Sequence, residues 1–442
     1  MMNLNGKKVV VFGLGVSGMG ALRFLKDKEV TLWAINQGEP SSWADFEEVS
    51  TITSALNCIS ESDPKALELC EKADLVILSP GIPRDHKVLS KCGAPIWSEI
   101  ELAFHFAKAP IIAVTGTNGK TTSVSFLDHL LRGIGKKVFT GGNIGVAFCD
   151  HIRSNEEVDY ILLELSSFQL ESTFEFKPDI AVLLNIFPNH GERYSENDDY
   201  AKAKFNISNK MDKDGTLIFD SANEQVNKWG ESFVGTKVPV QTNDTEGIKA
   251  HLKGMISLDQ FKLPGIHNKI NLDFCLEVLN ALNLLEGNAE LVQKGIDSFT
   301  GVSHRIEYVP SSESFDIYND AKSTNWDATM TAISSMDDFD KDLVLILGGK
   351  LRGHNDEPPL KAEAFFKQKV KKVFLIGESA NLLEKKLSDW VPCLNVGTLE
   401  ECAIELKKEK FTGIVLLSPA FPSFDQFKNY VERGNAFKSL FD

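Results

Sequence analysis

Apolar residues gather along this chain in short runs, each broken by glycine, serine, asparagine or threonine and then followed by a helix-length stretch. The runs at 7–12, 75–78, 111–115, 160–164, 180–185, 343–347, 372–376 and 413–417 have the length and β-branched content of buried strands. Strands alternating with helices predict α/β layers with largely parallel sheets. Ligands in such sheets bind beyond the carboxyl ends of the strands, so the polar residues after each run are where chemistry is expected. Breaks at 91–99 and 300–303 divide the pattern into domains 1–97, 98–302 and 303–442. The polar stretch 197–213 reads as a helix that is either solvated or bears ligands.

Length and charge narrow the function. At about 150 residues per domain, 442 residues suit about three domains. There are 47 Lys+Arg against 62 Asp+Glu, a net charge of -15, which disfavours a nucleic-acid partner. No run approaches the roughly 20 apolar residues of a membrane span, and no signal peptide is evident. Seven scattered cysteines without a CxxC pair fit reduced thiols in a cytoplasmic protein.

The run 111–114 leads into Thr115-Gly116-Thr117-Asn118-Gly119-Lys120-Thr121-Thr122, with a helix expected over 123–132. Strand, glycine-rich loop, Lys-Thr and helix form a phosphate cradle. Backbone N–H groups turn toward phosphate oxygens, Lys120 reaches the terminal phosphates, and the Thr121 hydroxyl is a Mg²⁺ ligand. Val114 stands where the strict motif has its first glycine. A second turn, Gly13-Leu14-Gly15-Val16-Ser17-Gly18, matches GxGxxG, but no acidic residue ends the following strand (Ala34-Ile35-Asn36), which disfavours NAD. Glu164, ending the run 160–164, is placed to ligate Mg²⁺; His190 follows another strand end.

TGTNGKTT, ELSSFQLE, Asn-x-x-x-Asn-His, GIHNKIN, HRIE, NDAKSTN and SPAFPSFDQF occur in this order. Together they resemble the Mur ligase family, over nearly the whole chain. ELSSFQLE and SFDQF point to its D-glutamate-adding branch. The resemblance implies three α/β domains: N-terminal Rossmann-like for a UDP-sugar, central P-loop ATPase-like with a mostly parallel sheet, and C-terminal Rossmann-like for the amino acid. It implies a monomer acting on the small molecules UDP-N-acetylmuramoyl-L-alanine and D-glutamate, with ATP and two Mg²⁺ ions. Phosphorylation would turn the carboxylate into an acyl phosphate that the incoming amine attacks. Gly116 to Thr122 would hold ATP, with Asn268 and Asn271 on the adenine side and Arg305 and Asp320 at the phosphates and ribose. Thr121, Glu164, His190 and Lys204 would ligate metal, Lys204 as a carbamylated lysine, with Lys202 its competitor. Lys120, His190, Lys204 and Lys322 would be catalytic. Val16, Ser17, Ser79, Gly81, Asn143, Ser166, Thr324, Arg352, Ser423 and Tyr430 would contact the UDP-sugar or the amino acid. A folylpolyglutamate-type ligase, an NAD-dependent oxidoreductase and a catalytically dead nucleotide-binding protein are the competing readings.

The chain departs from the family pattern at informative places. Asn189 precedes His190 where Asp is usual, with Glu192 as a compensating carboxylate. Arg352 ends Gly348-Gly349-Lys350-Leu351-Arg352 where Lys is expected for the D-glutamate carboxylate, leaving Lys350 as an alternative partner. Tyr430 replaces a usual Phe.

Overall fold

The computed structural model describes residues 3–191, 193–194, 196–243, 255–353, 356–409 and 411–441. Three sheets are present. The first runs β3-β2-β1-β4-β5, with β1 Lys8–Phe12, β2 Thr31–Asn36, β3 Cys58–Ser60, β4 Leu75–Leu78 and β5 Ile96–Trp97, all parallel. The second runs β11-β10-β9-β6-β8-β7, again parallel, with β6 Ile111–Thr115, β7 Val138–Gly142, β8 Tyr160–Glu164, β9 Ile180–Leu183, β10 Thr216–Asp220 and β11 Thr236–Val240. The third runs β12-β13-β17-β14-β15-β16, with β12 Glu307–Val309, β13 Asp316–Asn319, β14 Leu343–Gly348, β15 Val370–Ile376, β16 Cys393–Gly397 and β17 Ile414–Leu417. Only β12 there is antiparallel.

The chain packs as two compact units: 1–255 with 271–292, and 256–270 with 293–442. In the first, one apolar cluster runs from Val9, Val11, Leu22 and Leu25 through Ile100 and Phe148 to Leu163, Leu183 and Phe219, so the first two sheets share a core. In the second, Leu345, Leu347, Leu375 and Leu416 pack on one face of the third sheet, while Val344, Ile346, Phe374 and Val415 pack on the other. That alternation is the period of two of a strand buried on both faces.

Among the boundaries that differ from expectation, two bear on the site. The helix after the glycine-rich loop spans Lys120–Gly133 rather than 123–132, because left-handed Gly119 (φ +83°) turns the chain straight into the helix. The run expected at 180–185 leaves the sheet after Leu183. Its next residues are drawn to the loop, where the Thr117 N–H donates to the Asn185 carbonyl (3.0 Å). The polar stretch is a helix over Asn197–Phe205 with Tyr200 and Lys204 buried within it.

Candidate active site

The first turn lies where the order of the first sheet reverses, between β1 and β4. Gly13 (φ +91°) leaves no room for a side chain, since a Cβ would come within 2.5 Å of the Ser79 Cβ. Asn36, at the end of β2, accepts from the Leu14 N–H (3.4 Å). Val16 and Gly81 are exposed, Ser17 and Ser79 half-buried. The helix Val16–Lys26 begins at Gly15 with no side-chain cap, a terminus open to an anion.

The second turn is more fully constrained. β6 is buried throughout and flanked by β9 and β8, so its carboxyl end faces a strand end on either side. A side chain at Gly119 would meet the Asn271 Oδ1 at 2.5 Å. The Asn185 side-chain oxygen accepts from the N–H groups of Thr117 (3.1 Å) and Asn118 (2.9 Å), and its amide donates to the Asn118 carbonyl (3.2 Å). The Thr117 hydroxyl lies 3.1 Å from that of Tyr200. Gly119 caps the helix without a side-chain bond, and half-buried Thr121 and Thr122 form its first turn. Lys120 Nζ donates back to the carbonyls of Gly116 and Thr117, both at 2.8 Å.

Lys204 reaches the same loop, donating to the Gly116 carbonyl (2.8 Å) and toward the Thr115 hydroxyl (3.5 Å). Burial, with Lys120 as a neighbouring cation, pushes its ammonium down to about 7 against a smaller opposing pull from Glu164. Lys202, its competitor, is exposed and pairs with Asp199. Glu164 sits beside Val114 in register. Its Oε1 accepts from the Asn143 amide (2.8 Å), while its buried Oε2 has no hydrogen-bond partner. A buried carboxylate oxygen left unmet is costly, and a bound cation would satisfy it. Among the described residues no three His, Cys, Asp or Glu side chains cluster as a metal cage. That single unmet carboxylate oxygen suits Mg²⁺, which takes few protein ligands and completes its shell with water and phosphate oxygens.

His190 adopts a left-handed conformation (φ +57°), with its ring 4.8 Å from that of Phe168 and 5.9 Å from that of Tyr200. Glu192 lies outside the described residues. Ser166 opens the helix Ser167–Leu170 in a capping box with Gln169, so its local role is structural.

The second compact unit carries the remaining candidates. Asp320 is buried, accepting from the Ser418 hydroxyl (2.8 Å) and the Ile306 N–H (3.3 Å). Burial raises its carboxyl to about 7 despite those bonds and the nearby Arg305 and Arg433. Left-handed His304 and Ile306 flank exposed Arg305. Lys322 is exposed, with Nζ 5.7 Å from the centre of the Tyr430 ring; Thr324 is half-buried. Arg352 lies over the Phe421 ring (5.9 Å) and reaches the Ala420 carbonyl (3.5 Å), one turn of chain from buried Ser423. Lys350 instead pairs with Glu378 at 2.9 Å. Asn268 is buried and donates to the Pro264 carbonyl (2.6 Å).

Sequence reasoning missed Asn185, Tyr200 and Arg193. The Arg193 guanidinium pairs with Glu171, stacks on Phe168 (4.7 Å) and reaches the carbonyls of Pro80 and Ile82 (3.4 Å each). It thereby ties the loop after β4 to the His190 segment. An amide at a strand end next to the loop strand was the available signal for Asn185; Arg193 closes the segment Asn189-His190-Gly191-Glu192-Arg193 but drew no role of its own.

Family models match in two places: the Mur ligase middle domain over 114–281 and the Mur ligase MurD-like N-terminal domain over 7–96. A UDP-N-acetylmuramoylalanine–D-glutamate ligase of Caldicellulosiruptor saccharolyticus is 32% identical over 459 residues, covering 99% of each chain. One of Geobacter sp. (strain M21) is 33% identical over 455 residues, covering 99% of this chain and 98% of its own. The chain belongs to the Mur ligase family. The fold of this Mur ligase is shared with the MurF ligase from Thermotoga maritima in complex with ADP, at a TM-score of 0.53 and 14% identity over 99% of this chain and 95% of that one. Among the described residues of this Mur ligase, no helix is long and apolar enough to cross a membrane.

Proposed function

We propose that the chain is an ADP-forming ligase that uses ATP to join D-glutamate to UDP-N-acetylmuramoyl-L-alanine, acting as a cytoplasmic monomer in peptidoglycan precursor synthesis, with no nucleic-acid or membrane partner. The observation that carries this is the loop 115–122: an uncapped helix start, two lysines folded onto Gly116, and a buried unmet carboxylate oxygen beside it. In this proposal residues 1–97 hold the UDP-sugar through Val16, Ser17, Ser79 and Gly81, with Asn143 and Ser166 toward its muramoyl end. Residues 98–302 hold ATP, and 303–442 receive the amino acid through Arg352, Ser423 and Tyr430, with Thr324 and catalytic Lys322 facing the acyl phosphate. Asn268, Asn271, Arg305 and Asp320 serve the nucleotide.

A carboxylate is a poor electrophile, and transfer of the γ-phosphoryl group gives it a leaving group. The loop N–H groups and Lys120 hold the phosphates while negative charge shifts between them. Thr121, Glu164, His190 and a carbamylated Lys204 would hold two Mg²⁺ ions, which offset the charge of two anions brought together. Lys204 is suited to carbamylation because a depressed ammonium supplies neutral amine near pH 7. The amine nitrogen bonds to CO₂ and releases a proton, leaving a carboxylate-like oxygen donor. The amine of D-glutamate then displaces phosphate from the acyl phosphate.

The test is phosphate release with ATP, UDP-N-acetylmuramoyl-L-alanine and a panel of amino acids. D-glutamate is expected to support turnover. Turnover with L-glutamate, alanine or a diamino acid but not D-glutamate would overturn the substrate assignment.

A further inference from the structure

Arg433 has one of the largest fully buried side chains of the protein, only 1% exposed, and no motif singled it out. It lies on the first turn of the helix Tyr430–Ser439, whose N-cap is Asn429. Its Nη2 donates to two carbonyls at 3.0 Å each: Ala321, in the loop after β13, and Phe421, in the loop after β17. Its Nη1 faces a third loop, after β14, since a Cβ on Gly349 would stand 3.1 Å from it. Two of these loops, after β14 and after β17, are also joined by backbone bonds, from the Lys350 N–H to the Pro422 carbonyl (2.8 Å) and from the Gly348 N–H to the Pro419 carbonyl (2.9 Å). Each loop carries residues assigned above to the amino acid or to the acyl phosphate it attacks: Lys322 and Thr324, Ser423, and Arg352. Nε and Nη1 are buried without a hydrogen-bond partner. Burial lowers the guanidinium only to about 10, against the pull of Asp425 and Asp320, so the group remains a cation at neutral pH.

A buried charge with two unmet donors is costly for stability alone. A planar fork, however, can contact three strand-end loops at once, which a single ammonium cannot. We propose that Arg433 is a positioning residue that sets the spacing of the three loops receiving the amino acid, and so governs its capture without touching it. This rests on the function proposed above.

The test compares the full-length parent with Arg433→Lys and Arg433→Met, measuring KM and kcat for D-glutamate, ATP and UDP-N-acetylmuramoyl-L-alanine. Both variants are expected to raise the KM for D-glutamate at least tenfold while the other two KM values stay within twofold. Lysine is not expected to rescue, because charge without the fork cannot span the loops. An unchanged D-glutamate KM in either folded variant would overturn the proposal, as would a uniform rise in all three constants. Failure of both variants to accumulate as folded protein would also overturn it, making Arg433 a stability residue. Parent enzyme that does not turn over D-glutamate would instead overturn the proposed function, so the two failures are distinguishable.

Discussion

Two fully buried cations, Lys204 and Arg433, are held by main-chain carbonyls, and burial treats them differently. Lys204 rests on Gly116 and falls to about 7; Arg433 rests on Ala321 and Phe421 and falls only to about 10. Burial pushes both down, but the ammonium starts from an ordinary 10.5 and the guanidinium from 12.5, so only the ammonium is brought to neutral pH. A guanidinium spreads its charge over a plane and keeps it. One position therefore becomes a neutral amine open to chemistry, the other a fixed charge suited to holding loops in place. The difference teaches that burial alone does not give a cation its role; the side chain's capacity to lose the proton does.

The largest effects are expected around the lysine. Lys120→Ala should lower phosphate release by about a thousandfold or more, the scale of removing a preorganised group from a developing charge, with the fold intact by circular dichroism. Near-normal activity would sink the phosphate reading of the loop. Lys204→Met should cost about a hundredfold or more in kcat on the same grounds, whereas exposed Lys202→Ala should stay close to parent. Equal losses at both lysines would erase the distinction between the buried and the exposed position.

A pH experiment isolates the depressed ammonium of Lys204. Unfolded, the residue has its ordinary value of 10.5; folded, about 7. Below pH 7 both states carry the proton and the burial penalty is complete. Between about 7 and 10.5 only the unfolded state keeps it, so stability gains as pH rises, by at most about 1.4 kcal/mol per pH unit. In carbon-dioxide-free buffer, the Tm advantage of Lys204→Met over parent should therefore shrink from pH 7 to pH 9. A constant gap would show that the ammonium is not depressed.

Around the arginine, the expected effects fall on substrate capture. Arg352→Ala should raise the KM for D-glutamate more than tenfold, since a charged hydrogen bond is worth roughly 1.5–3 kcal/mol. Lys350→Ala should change it less than twofold, because Lys350 is engaged with Glu378. The reverse pattern would move the carboxylate contact to Lys350.

The two regions also differed in how far the sequence disclosed them. The glycine-rich loop was legible because its donors are consecutive backbone groups, and Lys120 follows them directly. The strands around it were legible because a sheet buried on both faces leaves uninterrupted apolar runs. Arg433 was not legible: its partners Ala321 and Phe421 are carbonyls, which any residue supplies, and they lie 112 and 12 positions away. Asn185 and Arg193 escaped for the same reason, being defined by what the fold brings to them. Ser166 carries a second, local explanation that the sequence did not suggest: the motif residue assigned to the substrate also caps a helix with Gln169.

Ser166 supplies the smallest and most discriminating test. Its hydroxyl accepts from the Gln169 N–H (3.2 Å), and Gln169 Oε1 accepts from the Ser166 N–H (3.0 Å). Losing the cap in Ser166→Ala should cost about 1 kcal/mol of stability, a Tm fall of roughly 2–4 °C for a domain of this size. If capping is its whole role, the KM for UDP-N-acetylmuramoyl-L-alanine stays within twofold of parent, and Ser166→Asp, another good cap, restores the Tm. A severalfold rise in that KM with an unchanged Tm would instead make the hydroxyl a substrate contact. Its function would then be one that the sequence disclosed and the local hydrogen bonds concealed.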